Sequence, residues 1–138
     1  MRKIDIACII DDDPIFIFGT KKIMELTSFC ESFLIFHNGK DALDKLTAII
    51  VNGERLPEII LLDINMPVMD GWQFLDEFTK VPSPQQILIY VVTSSIDPAD
   101  LEKARQYETI NNYIVKPITV NKLKDILNDI DTGPFPAG

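Results

Sequence analysis

The sequence predicts an α/β fold, a parallel sheet with helices on both faces. Two observations predict it. Four short apolar runs each end on polar residues: Ile6-Ala7-Cys8-Ile9-Ile10 before Asp11-Asp12-Asp13, Ile59-Ile60-Leu61-Leu62 before Asp63, Ile87-Leu88-Ile89-Tyr90-Val91-Val92 before Thr93, and Tyr113-Ile114-Val115 before Lys116-Pro117. Runs this short and apolar suit strands buried on both faces. Stretches of helical character lie between them, and such alternation builds βαβ units. The 138 residues suffice for one domain with a sizeable core.

The elements follow in order. A strand is expected near 4–10, then a helix near 14–28 opened by Pro14, whose missing N–H costs nothing in a first turn. A second strand is expected near 32–36, with Phe33 and Ile35 as core residues, and Asn38-Gly39 marks the turn after it. Ala42, Leu46 and Ile49 make one apolar stripe on a helix near 39–52, closed by the turn Asn52-Gly53. A third strand near 58–63 leads through Asp70-Gly71 to a helix near 71–80, where Phe74, Leu75 and Phe78 read as core and Trp72 as a packing residue. Val81-Pro82-Ser83-Pro84 is a stiff loop before a strand near 86–92. Asp97-Pro98 reads as a cap and first turn for a helix near 98–107. That helix is the weakest, with Leu101 and Ala104 as a thin apolar face. A fifth strand is expected near 112–115. Thr119-Val120 opens a last helix near 119–130 whose stripe is Val120, Leu123, Leu127 and Ile130. The domain is expected at 1–130, with 131–138 a Pro/Gly-rich tail prone to fray.

The charge balance narrows the function classes. Thirteen basic and 21 acidic residues leave a net charge of −8, which argues against a nucleic-acid surface. No apolar stretch reaches membrane-spanning length, and the N-terminus runs straight into a strand pattern. A cytoplasmic protein is expected. Cys8 and Cys30 read as small buried hydrophobes in a reducing compartment, and His37 as a surface or loop residue.

Chemistry in an open α/β sheet collects at the carboxyl ends of the strands. Asp11, Asp12 and Asp63 at one rim would repel one another and call for a cation. Mg²⁺ suits carboxylate oxygens together with a phosphate. An aspartate can attack a phosphoryl group and form an acyl phosphate, a role that fits Asp63. Lys116 offers an ammonium and Thr93 a hydroxyl to the phosphoryl oxygens, since such transfers depend on positioning and charge neutralisation. Singly, each residue has a plainer reading: the acidic triplet as a solvated turn or helix cap, Lys116-Pro117 as a loop pair, Thr93 as a cap. Their shared rim favours a site.

These residues carry a family resemblance. Ile9-Ile10-Asp11-Asp12-Asp13-Pro14, Leu62-Asp63-Ile64-Asn65-Met66-Pro67 with Asp70-Gly71, Val92-Thr93-Ser94 and Tyr113-Ile114-Val115-Lys116-Pro117 resemble the receiver domain of two-component response regulators, over about 4–130. The resemblance implies a doubly wound, flavodoxin-like, five-stranded parallel sheet in the order 2-1-3-4-5. It implies Asp63 as phosphoacceptor and a Mg²⁺ set of Asp12, Asp11 (directly or through water), Asp63 and the backbone carbonyl of Asn65. Thr93 becomes the switch hydroxyl, Tyr113 the switch aromatic, Lys116 the active-site lysine, and Lys116-Pro117 a candidate cis peptide. Ser95 and Asn65 stand where the family tunes phosphoryl lifetime. The implied partners are a sensor histidine kinase or phosphotransfer protein, which supplies the phosphoryl group, and a downstream protein that reads the 98–130 face. Tyr107–Asn112 departs from the family in lacking a small residue before the fifth strand.

The resulting expectation is a stand-alone signalling switch that catalyses its own phosphorylation and dephosphorylation. The alternative is a Mg²⁺-dependent aspartyl-phosphate phosphatase or phosphotransferase. Against it, Asn65 stands where such enzymes commonly place a second aspartate, and no cap domain is present. A module that never phosphorylates would have lost an acid, the lysine or the hydroxyl. A flavin binder would need a phosphate-cradling loop where the acidic triplet stands.

Overall fold

The computed structural model describes residues 4–83 and 86–132. Strands and helices alternate throughout: β1 (Ile4–Ile10), α1 (Pro14–Leu26), β2 (Cys30–Phe36), α2 (Gly39–Val51), β3 (Ile59–Leu62), α3 (Gly71–Phe78), β4 (Leu88–Thr93), α4 (Pro98–Arg105), β5 (Ile110–Val115) and α5 (Val120–Thr132). All strand pairings are parallel, in the order β2-β1-β3-β4-β5. The order reverses between β1 and β3, which opens a crevice at their carboxyl ends.

Side-chain alternation along the strands divides the core in two. Ala7, Ile9, Ile59, Leu61, Tyr90 and Val92 face α1 and α5, against Ile17, Met24, Leu123 and Ile126. Cys8, Ile10, Ile60, Leu62, Ile89 and Val91 face the other way, against Ala42, Leu46, Phe74, Leu75 and Ala104. Both cysteines are buried, and no disulfide joins them. Phe33 and Ile35 are only partly buried, because β2 is an edge strand.

The caps explain where helices begin and end. Asp13 accepts the N–H groups of Ile15 and Phe16 at the start of α1. Asn38 caps α2, Asp97 caps α4, and Asp70 forms a reciprocal capping box with Gln73 at α3. Thr119 accepts the Lys122 N–H ahead of α5. At the far end of α2, Gly53 takes a left-handed φ of 68° while Gly53 N bonds Ile50 O and Glu54 N bonds Ile49 O. That is a Schellman closure. Ser28 does the same for α1 with φ 52°, Ser28 N to Glu25 O and Phe29 N to Met24 O. A serine there gives no glycine signal, so α1 stops at Leu26, short of the expected 28.

Four other elements depart from expectation. β2 begins at Cys30, where the ladder pairs Cys30 with Ile4, two residues earlier than the apolar pattern suggested. β5 begins at Ile110 instead of 112, because Asn111 forms a bulge between the pairs Ile89–Ile110 and Tyr90–Asn112. The Asn111 side-chain oxygen accepts the Ile89 N–H at 3.0 Å, standing in for a backbone carbonyl. In α5 the buried face is Leu123, Ile126 and Leu127, with Ile130 packed beside it. Val120, expected in that stripe, is 39% exposed. In α4 Ala104 is buried but Leu101 is not. Helix α5 continues to Thr132, past the expected domain end at 130; the expected tail at 133–138, and Pro84 of the stiff loop, lie outside the described residues.

Candidate functional site

Sheet register builds the site. Ile10 pairs with Leu62 across β1 and β3, so the next residues, Asp11 and Asp63, leave the sheet side by side. The Asp63 N–H continues the ladder to the Ile10 carbonyl at 2.9 Å. Thr93 pairs with Val115 across β4 and β5, and Lys116 follows, its N–H bonded to the Thr93 carbonyl at 2.8 Å. Asp11, Asp63 and Thr93 are all buried polar residues.

Lys116 closes the cluster. Its Nζ lies 2.8 Å from Asp11 Oδ2 and 3.5 Å from Asp63 Oδ2. The ammonium also stands 4.4 Å from the centre of the Phe16 ring, which adds a cation–π contact. The Lys116-Pro117 peptide is cis. Burial lowers the pKa of the ammonium, but the close approach of Asp11 and the charges of Asp63 and Asp11 outweigh it, and the net direction is upward. For Asp11 burial dominates, with the Asp63 charge adding to it. Together they carry its carboxyl up to about 6 against the opposing pull of Lys116 and the Asp13 N–H.

The acidic triplet divides its labour. Asp13 is the α1 cap, and its N–H donates to Asp11 Oδ1 at 2.9 Å. Asp12 is exposed. One oxygen each from Asp11, Asp12 and Asp63 lies within 4.8 Å of the others. Asp11 Oδ2 is buried, and although Lys116 neutralises it at close range, no donor meets it along a hydrogen-bond direction. Three converging hard oxygens, one lacking an aligned donor, fit a divalent cation of the Mg²⁺ type. Asn65, two residues past Asp63, donates its N–H to Asp63 Oδ1 at 3.3 Å.

The loop after β3 is tightly wound. Val68 holds φ 71° and Met69 N bonds Pro67 O at 2.8 Å, a three-residue γ-turn. Gly71 N bonds Ile64 O at 3.1 Å. A Cβ on Gly71 would sit 2.5 Å from the Asp63 carbonyl oxygen and 2.7 Å from Ile64 Cα, so only glycine fits.

Thr93 and Tyr113 meet through Ser95. The Ser95 N–H donates to Thr93 Oγ1 at 3.3 Å, and the Tyr113 hydroxyl donates to the Ser95 carbonyl at 3.0 Å. The Ser95 hydroxyl in turn binds the Asp100 carboxylate at 2.5 Å in the first turn of α4. The structure thus joins Asp11, Asp12, Asp63 and Lys116 in one cluster, with Asn65 bonded to it, and links Thr93 to Tyr113 through a third residue. His37 is exposed at the end of β2. The sequence reading did not single out Phe16 beneath the lysine or Ser95 as the link. An aromatic in the first helical turn behind the acids was the available sign for Phe16.

The family model described as the response regulator receiver domain matches residues 7–128. A probable methanogenesis regulatory protein, FilR2, of Methanothrix harundinacea is 32% identical over 93 residues, covering 67% of this chain and 59% of that protein. A probable chemotaxis protein, CheY, of Rhizobium etli is 32% identical over 71 residues, covering 51% of this chain and 54% of that protein. The chain thus spans little more than half the length of these relatives. A two-component response regulator from Cytophaga hutchinsonii superimposes with a TM-score of 0.84 at 35% identity, covering 94% of this chain and 98% of that one.

Proposed function

The chain belongs to the response regulator receiver family, and from that premise we propose that Asp63 accepts a phosphoryl group from a phosphohistidine protein. The observation that carries the reading is the partly buried Lys116 ammonium held between Asp11 at 2.8 Å and Asp63 at 3.5 Å. In the proposed step an Asp63 carboxylate oxygen forms a bond to phosphorus. The N–P bond of the donor breaks, its electron pair stays on the imidazole nitrogen, and an acyl phosphate results. Lys116 stabilises the charge that gathers on the phosphoryl oxygens, and Asp11 holds Lys116 in place. Asp11, Asp12, Asp63 and the backbone carbonyl of Asn65 would hold Mg²⁺, which when bound neutralises charge shared between the carboxylates and the phosphoryl group. Hydrolysis of the acyl phosphate by water resets the protein.

Phosphorylation adds charge and acceptor oxygens beside Thr93. The Thr93 hydroxyl turns to that charge, which disturbs its bond from Ser95; Tyr113, bonded to the Ser95 carbonyl, moves with it. A downstream protein reads the change on the 98–130 face. The donor is a sensor histidine kinase or phosphotransfer protein, and the setting we propose is the cytoplasm. Among the described residues no helix is long and apolar enough to cross a membrane. The phosphatase reading draws no support from Asn65, an amide where that chemistry wants an acid.

The test is incubation with Mg²⁺ and acetyl phosphate, read by intact mass. Wild type is expected to gain one acid-labile phosphoryl group and Asp63→Asn none. Absence of the adduct from wild type overturns the reading.

A further inference from the structure

Helix α4 is weakly held by its own packing: among its residues Ala104 is buried and Leu101 is 37% exposed. Two attachments hold its ends. At the first turn, Asp100 accepts the Ser95 hydroxyl, in the segment just after Thr93. Beyond the last turn, the Tyr107 ring stacks on Trp72 of α3, centroids 5.4 Å apart and planes 20° from parallel. The Lys103 ammonium lies 5.3 Å from the centre of the same Trp72 ring. The Tyr107 hydroxyl donates to Asp76, also on α3, at 2.7 Å.

Trp72 is buried, and it directly follows Gly71. Gly71 has no room to move independently of Asp63: its backbone is bonded to Ile64, and the Asp63 carbonyl fills the space a Cβ would need. A displacement of the Asp63 backbone therefore passes into the first turn of α3, where Trp72 stands. Resting on the phosphoacceptor reading of Asp63, we propose that the Trp72–Tyr107 stack, with Lys103 over it, is a second linkage from the phosphorylation site to α4. It works in parallel with the Thr93–Ser95–Asp100 path. One path grips α4 at its start and the other at its end, so the two together set the tilt of the helix on the partner face. Trp72, Tyr107 and Lys103 are positioning residues in this scheme and touch no reacting atom.

Trp72 is the single tryptophan of the chain, so the emission comes from the stacked ring. The full chain is treated with Mg²⁺ and acetyl phosphate and followed by intact mass, tryptophan emission and deuterium uptake of peptides covering 97–107. In wild type, adduct formation is expected to change both the emission and the uptake. Tyr107→Leu is expected to form the adduct at a rate close to wild type yet lose most of the phosphorylation-dependent change in uptake. Tyr107→Phe keeps the ring and is expected to keep the change. Lys103→Met, an exposed substitution, is expected to reduce it and serves if Tyr107→Leu folds poorly. A wild-type adduct without a change in emission or uptake overturns the linkage and leaves the phosphoacceptor reading standing; no adduct at all overturns both. A full wild-type change in Tyr107→Leu, or equal loss in Tyr107→Phe, also overturns the role of the stack.

Discussion

Asp11 and Lys116, 105 positions apart in the chain, form an ion pair at 2.8 Å in which the carboxylate is buried and the ammonium partly so. The pair is unbalanced, because Asp63 brings a second carboxylate to the same ammonium at 3.5 Å. One cation between two acids makes the lysine the residue whose loss is felt most.

Lys116→Met is therefore expected to destabilise the protein by about 3 kcal/mol, since it strands two neighbouring buried carboxylates. Adding Asp63→Asn to Lys116→Met should recover part of that loss by removing their repulsion. Urea unfolding of the single and double variants tests this, and a double variant no more stable than Lys116→Met would refute it.

Mg²⁺ is expected to raise the melting temperature of wild type at constant ionic strength. At a hundredfold excess over the dissociation constant, one bound ion adds about 2.7 kcal/mol. Asp12 is exposed and carries no buried bond, so Asp12→Asn should fold normally and lose most of the shift. A shift of wild-type size in Asp12→Asn would remove that residue from the proposed ligand set.

Gly71→Ala drives a methyl into the Asp63 carbonyl and the Ile64 backbone, neither of which can swing aside. An overpacking cost of about 1–3 kcal/mol is expected. Phosphoryl uptake by Asp63 should fall as well, because relief of the clash must displace the Asp63 backbone. Denaturant midpoints and intact mass read the two effects together; a loss of neither means the loop is more compliant than its contacts imply.

Alkaline pH should destabilise the protein in a defined window. Burial, reinforced by the Asp129 charge, pushes the Tyr90 hydroxyl up to about 12. Burial and the bond to Asp76 push Tyr107 to about 12. A group whose folded pKa is raised favours the fold while it keeps its proton. That stability is complete below pH 10, the ordinary tyrosine value, and drains away as pH rises towards 12. Tyr107→Phe cannot ionise and should flatten part of that loss. Urea midpoints across the window, with tyrosinate absorbance alongside, provide the check.

What could be read from the sequence was local. Strand ends at Ile10, Leu62 and Val115 and the cap at Asp97 follow from neighbouring residues, so the rim and its polar members were visible without coordinates. What stayed hidden depends on distant partners. Asn111 looks like a loop residue until its side chain is seen to occupy a ladder position against Ile89. Tyr107 and Trp72 are 35 positions apart, and nothing near either announces the stack. Within the acidic triplet, only the phase in which β1 leaves the sheet separates the buried Asp11, the exposed Asp12 and the capping Asp13.

The pairing of Ile10 with Leu62 bears on how the chain folds. Side chains alternate between the two faces of a strand, so a slip of one residue between β1 and β3 would send Asp63 to the opposite side of the sheet from Asp11. The hydrophobic residues of both strands would remain buried, since both layers of the core are apolar. Core burial alone is thus a poor judge of whether these two strands have met correctly, whereas a cation bound jointly by the two carboxylates is a strict one. With the proposed Mg²⁺ set, metal affinity would double as a measure of folding fidelity.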